Sequence, residues 1–247
     1  ESVRASRPAD ILVFDNGSID STVDIARRYT DHVQVIPRPA TVGHLRNLAV
    51  SAARTHYLLF VDHDVVFPPE TIRQLRHDLQ SNGYAAVSSQ IFARRTDTYW
   101  ERAQDEHFKL TFNKPGPREA IGAMTALFDR FILLEENFDP TFSASEDGEL
   151  CYRLRRRGYR LGISRAICYH RHRATFGAFA HQRFWYGQGT WKFFRKHKNA
   201  DMLLTALAFG PLGALWVIAK GKPILTPYLL AHSVFFTAGV ISAAFSF

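Results

Sequence analysis

Apolar positions along the chain fall into short blocks separated by polar turns, and the spacing within each block predicts its element. Asp10 to Phe14 is a short apolar strand, followed by a turn over Asp15-Asn16-Gly17-Ser18. Ser18 or Asp20 can cap a helix over Ser21 to Tyr29, whose Val23, Ile25 and Ala26 supply its apolar side. Val33 to Ile36 is a second strand, and Gly43 opens a helix over about His44 to Thr55. Tyr57 to Val61 is an unbroken apolar run, the pattern of a strand buried on both faces. Pro68-Pro69-Glu70 starts another helix, and Ala85 to Ile91 is a further strand. Strands alternating with helices predict an α/β fold with a mostly parallel, Rossmann-like sheet flanked by helices.

Residues 92–120 are polar and aromatic with a breaker at Lys114-Pro115-Gly116-Pro117, and predict a loop, or a short helix plus loop, able to cover a site. Ile121 to Phe128 is rich in small residues, so another group is expected close to its backbone. Ser145 to Gly158 predicts a helix with an apolar stripe of Leu150, Cys151 and Leu154, and Arg160 to Tyr169 a last strand delivering His170 just past its end.

The run at 57–61 ends in Asp62-His63-Asp64. Ligands of open α/β sheets bind at the C-terminal ends of strands, and residues two apart can point the same way. Two converging carboxylates repel one another unless a cation lies between them, and hard oxygen donors suit Mg²⁺ or Mn²⁺ with substrate phosphates completing the shell. Taken alone, the pair also suits a polar turn. Glu146 and Asp147 open the 145–158 helix, where the helix dipole favours a carboxylate; that position serves a cap and a catalytic base equally well.

A net charge of +8 with basic clusters at 153–160, 171–173 and 195–198 fits nucleic acid, anionic lipid or a phosphorylated substrate. Nucleic acid is set aside, because no recognition helix or basic–aromatic module accompanies the charge. Cys151 and Cys168 sit among apolar residues without metal spacing and predict buried thiols in a reducing compartment.

Four separated motifs together resemble a family 2 glycosyltransferase with the GT-A fold. They are Asp15-Asn16-Gly17-Ser18-Ile19-Asp20, Arg46-Asn47, Asp62-His63-Asp64, and Glu146-Asp147 with Leu150 to Leu154 and Gly158-Tyr159. The resemblance covers roughly residues 1–198 and is similar in type to membrane-associated bacterial members, including polysaccharide and mycofactocin-type enzymes. It implies inverting transfer of a sugar from a nucleotide-diphosphate donor to a hydroxyl acceptor. By the same resemblance Asp15, Asn16, Ser18, Arg46, Asn47 and Asp62 would hold the donor. Asp62 and Asp64, with His170, would hold Mg²⁺ or Mn²⁺. Asp147 would be the general base, supported by Glu146. Arg183, in His181-Gln182-Arg183-Phe184-Trp185, would approach the diphosphate, although this stretch departs from the Gln-x-x-Arg-Trp of processive members. Single transfer is therefore expected rather than polymerisation. Glu1 to Ala5 reads as the end of a helix already under way, so the family's first strand is expected to be missing by N-terminal truncation. That gap keeps a second reading open, a non-catalytic nucleotide-sugar-binding or scaffold protein at the membrane.

Residues 199–247 predict two apolar helices, transmembrane or interfacial. Met202 to Ala219 carries no charge, and Pro223 to Phe247 none apart from His232. The first spans roughly 27 Å as a helix, close to the hydrocarbon thickness, with a kink expected at Gly210-Pro211. The alternative is a pair of buried core helices. A basic flank at 195–198 predicts a catalytic domain on the cytoplasmic face of the cell membrane, with membrane lipid as a partner and an acceptor that is lipid-linked or part of the envelope. The uncharged end at Phe247 predicts a further truncation.

Overall fold

The computed structural model describes residues 1–246; the side chains at 202, 205–209 and 211 also lie outside the description. The expectations placed on those side chains and on Phe247, including the kink at Pro211, therefore fall outside the described residues. The elements are α1 (Ser2–Ala5), β1 (Val13–Asp15), α2 (Thr22–Arg27), β2 (Val33–Val35), α3 (Val42–Ala52), β3 (Tyr57–Val61), β4 (Val65–Val66), α4 (Thr71–Asn82) and β5 (Ala86–Ala93). Then follow α5 (Tyr99–Thr111), β6 (Gly116–Arg118), β7 (Thr125–Asp129), α6 (Arg130–Glu136), α7 (Glu146–Arg156), β8 (Leu161–His170), α8 (Phe176–His197), α9 (Asp201–Ala219) and α10 (Thr226–Phe245). They form two compact units, one of Glu1–Gln90 with Lys114–Tyr169, the other of Ile91–Asn113 with the chain from His170 onward.

In the first unit β1 and β2 pair in parallel through the α2 crossover, Val13 opposite Val33. The larger sheet has the order β3-β7-β5-β8-β4, with β6 on β8. It is mixed: β7 lies antiparallel to β3, from Tyr57 opposite Asp129 to Val61 opposite Thr125, and antiparallel to β5. Alternation along the strands sorts side chains to two cores. Phe60, Ala86, Ala126 and Phe128 face a layer with Val50 of α3, Leu133 of α6 and Leu150 and Leu154 of α7. Val87 and Leu127 face Leu75 and Leu79 of α4. Helices thus cover both faces. Each fully buried leucine contributes about 1.5–3 kcal/mol, which holds the polar N-terminus of α7 in place through Leu150 and Leu154. Arg153 adds a second tie: its Nε reaches Glu149 Oε1 at 2.9 Å and its guanidinium reaches Glu136 Oε2, at the end of α6, at 3.1 Å.

In the second unit α5 is a full helix where the sequence predicted a loop or a short helix. It starts with a capping box, Thr98 accepting from the Glu101 amide and Glu101 from the Thr98 amide. Its inner face mixes buried Glu101, Gln104 and Asp105 with Ala103, Tyr99 and Trp100, so polar positions interrupt the apolar period. Those groups are satisfied by the chain: Gln104 donates to Trp100 O and Arg173 O, and Asp105 accepts from the Ala93 amide. α10 packs against both α8 and α9. Gly187 and Gly239 let the backbones of α8 and α10 touch, since a Cβ on either would run into the other helix at Phe236 O or Phe184 O. Of the two expected apolar spans, the one over Pro223–Phe245 is long and apolar enough to cross a membrane, the single such helix among the described residues.

Candidate active site

The site begins where β3 stops. Asp62 still donates its amide to Met124 O at 3.0 Å, and Val65 N closes a turn onto Asp62 O at 3.2 Å, so Asp62-His63-Asp64 caps the strand end. Arg46 reaches this point from α3. Its Nη2 lies 3.6 Å from Asp62 Oδ1 and its Nη1 lies 3.0 Å from Glu146 Oε1, the first residue of α7. The guanidinium also lies over the Phe60 and Phe138 rings, 5.5 and 5.4 Å from their centroids. A planar fork on two aromatic faces is held more firmly than a lysine would be. One cation therefore joins the carboxylates of two motifs that the sequence keeps far apart.

Glu146 is nearly closed to solvent, its side chain 8% exposed against 43% for Asp62. Burial is the main cause that pushes its carboxyl up to about 8; neighbouring Asp147 adds to this and Arg46 opposes it. Glu146 thus holds a proton at neutral pH. Asp147 is anchored differently: Oδ2 accepts from the Ala123 amide at 3.2 Å and Oδ1 from the Gly148 amide at 2.8 Å. These amides fix the carboxylate at the start of α7. Behind it Cys151 is buried, its thiol pushed up to about 12 by desolvation, which makes it an inert core group.

Asp15, Asn16 and Ser18 gather at the end of β1. Asp15 takes both the amide and the hydroxyl of Ser18, at 2.7 and 2.6 Å. Asn16 donates to Ala40 O, and Gly17 supplies the left-handed turn at φ 66°. Asn47 exchanges two hydrogen bonds with the Phe138 backbone, at 2.8 and 2.9 Å, so its amide locks α3 to the segment after α6.

His170 and Arg183 belong to the second unit. His170 is the last residue of β8 rather than the residue beyond it, and its Nδ1 lies 2.9 Å from Nδ1 of His172. His172 was not singled out from sequence; its signal is the two-residue spacing from His170 along an extended chain. Burial first, and then His170, lower the His172 imidazole to about 4. Arg183 of α8 lies over Phe179 and Tyr186 and donates to Gln182 Oε1. The described residues contain no group of three or more His, Cys, Asp or Glu side chains placed to hold a metal ion.

The family model of glycosyl transferase family 2 matches residues 1–136, more than half of the chain. The chain belongs to that family. This glycosyltransferase is 25% identical to the succinoglycan biosynthesis protein ExoA of Rhizobium meliloti (strain 1021), over 94% of the chain and 77% of that relative. Among solved structures it resembles a mannosyltransferase, PcManGT from Pyrobaculum calidifontis, in complex with GDP-Man and Mn²⁺. The TM-score is 0.65 at 16% identity, covering 99% of the chain and 81% of that protein. It also resembles GalNAc-T7 with UDP, GalNAc and Mn²⁺, at a TM-score of 0.53 and 14% identity, over 80% of the chain and 50% of that protein. At these identities the two structures establish the fold, a GT-A-like α/β architecture with a mixed sheet.

Proposed function

We propose that this glycosyltransferase moves a sugar, with inversion, from a nucleotide-diphosphate donor to the hydroxyl of a lipid-linked or envelope glycan acceptor at the cytoplasmic face of the membrane. The observation that carries the reading is the Arg46 bridge, which draws the Asp62 and Glu146 carboxylates together at the end of β3. Donor contacts fall to Asp15, Asn16, Ser18 and Asp62, with Arg46 and Asn47 holding the frame behind them and Arg183 directed to the diphosphate.

Asp62 and Asp64 fit a hard divalent cation. Mg²⁺ and Mn²⁺ are commonly held by one or two carboxylates plus water and phosphate oxygens. His170 is the candidate for an additional contact. When bound, the cation supplies positive charge for the departing diphosphate. Asp147 takes the acceptor proton; its amide anchors hold it oriented. Glu146, protonated beside it, keeps the net charge of the pair low and leaves Asp147 as the base.

Both solved relatives carry Mn²⁺ and a nucleotide or nucleotide sugar, and the ExoA relative acts in polysaccharide biosynthesis, which supports the donor and acceptor classes. The test is a panel of UDP-, GDP- and TDP-sugars with Mg²⁺ or Mn²⁺ and a lipid extract, read by released nucleotide diphosphate. Release from one donor, dependent on the extract, is expected. No release from any donor, with intact nucleotide binding, would favour a non-catalytic binding protein.

A further inference from the structure

The second unit carries charge in an arrangement that a crossing bundle would find costly. Basic residues stand at both ends of α9: Arg195, Lys196 and Lys198 before it, Lys220 and Lys222 after it. The helix has 19 residues, so the two groups are about 28 Å apart. α8 runs in the same direction as α10, with Phe179 against Tyr228 near one end and Phe184 and Gly187 against Gly239 further along. It therefore lies alongside α10. Its outward side is a stripe of His181, Trp185, Gln188, Lys192, Arg195 and Lys196, from half-buried to exposed. Among the described residues, the outward sides of the other two helices carry exposed apolar side chains: Leu212, Leu215 and Ile218 on α9, and Leu230, Val234 and Ile241 on α10.

If α9 and α10 crossed a bilayer, His181 and Gln188 would lie at the depth of the acyl chains, where polar side chains are expensive. Turned flat, the same bundle presents its apolar side to the acyl chains, its α8 stripe to the headgroups, and both basic ends to anionic lipid. We infer that α8, α9 and α10 form a slab that lies in one leaflet of an anionic bilayer, with the residues at 195–198 and 220–222 on the same side of the membrane. The inference rests on the membrane reading of the proposed function and adds its topology.

Three variants of the full chain, Gln188→Cys, Lys196→Cys and Lys220→Cys, are expressed in a bacterial host and treated with a membrane-impermeant maleimide. Labelling is compared in intact cells and in inverted membrane vesicles. The native Cys151 and Cys168 are buried and make the unaltered chain the blank. All three positions should label in inverted vesicles and none in intact cells. Labelling of Lys196→Cys and Lys220→Cys from opposite faces would mean that the helices cross, overturning the slab while leaving membrane attachment standing. Protection of Gln188→Cys on both faces would also overturn it, by placing the stripe against lipid or a second copy. Release of the unaltered chain by a carbonate wash would instead sink the membrane reading itself.

Discussion

Arg46 Nη1 lies 3.0 Å from Glu146 Oε1, joining α3 to the first residue of α7, with both side chains almost withdrawn from water. The second half of the Arg46 fork faces Asp62, so the pair couples the strand end that carries Asp62 and Asp64 to the helix that carries Asp147. Arg46→Ala should remove the hydrogen-bonding cation that Glu146 and Asp62 share and cost about 1–3 kcal/mol of stability. Arg46→Lys keeps the charge and loses the fork, and should lower turnover while leaving the fold intact. Full turnover in the lysine variant, with an unchanged melting midpoint in the alanine variant, would dismiss the bridge as incidental.

Activity should require a divalent cation, and Asp64→Ala should abolish it. Turnover is followed in excess EDTA and then restored with Mg²⁺ or Mn²⁺. An Asp64→Ala enzyme that titrates with metal as the native one does would remove Asp64 from the cation site.

Asp147→Asn preserves size but cannot take a proton. Turnover should fall about 10²–10⁴-fold, the usual cost of a lost general base, while calorimetry with the nucleotide diphosphate shows little change. If affinity collapses instead and bound donor still turns over, Asp147 serves α7 as a cap.

The raised carboxyl of Glu146 has a consequence for stability. Its folded value of about 8 exceeds the ordinary 4.5, so the folded state binds this proton more tightly than the unfolded chain. The contribution is therefore complete below about pH 4.5 and is lost as pH rises through about 8. Glu146→Gln should flatten that part of the profile, with its advantage over the native chain greatest at alkaline pH. Urea midpoints measured across this range check the sign; parallel profiles for the two chains would contradict it.

Gly43 has ordinary helical backbone, so alanine there is conformationally favourable. A Cβ would nevertheless run into Asp139 O, and the Gly43 amide is held by Phe142 O at 2.9 Å. Gly43→Ala should thus destabilise the first unit by about 1–3 kcal/mol through overpacking. A rise in the melting midpoint would show that α3 does not sit this tightly on the 139–142 segment.

Local pattern was enough to place the strand ending at Val61 just before Asp62, the α7 helix opening with Glu146 and Asp147, and the uncharged C-terminal stretches, because apolar period and capping act within a few neighbouring residues. It carried the motifs of the family for the same reason. It could not tell the direction of β7: a central strand buried on both faces reads as Thr125-Ala126-Leu127-Phe128 whether its neighbours run with it or against it. Nor could it give the full length of α5, expected as a loop or a short helix plus loop, whose buried polar groups are satisfied by distant backbone at Arg173 and Ala93. The Arg46 bridge and the raised carboxyl of Glu146 arise only when the folded chain excludes water and brings charges together across it. The polar stripe of α8 is written in the sequence, but its direction beside α10 was decided by Gly187 and Gly239, where two backbones meet.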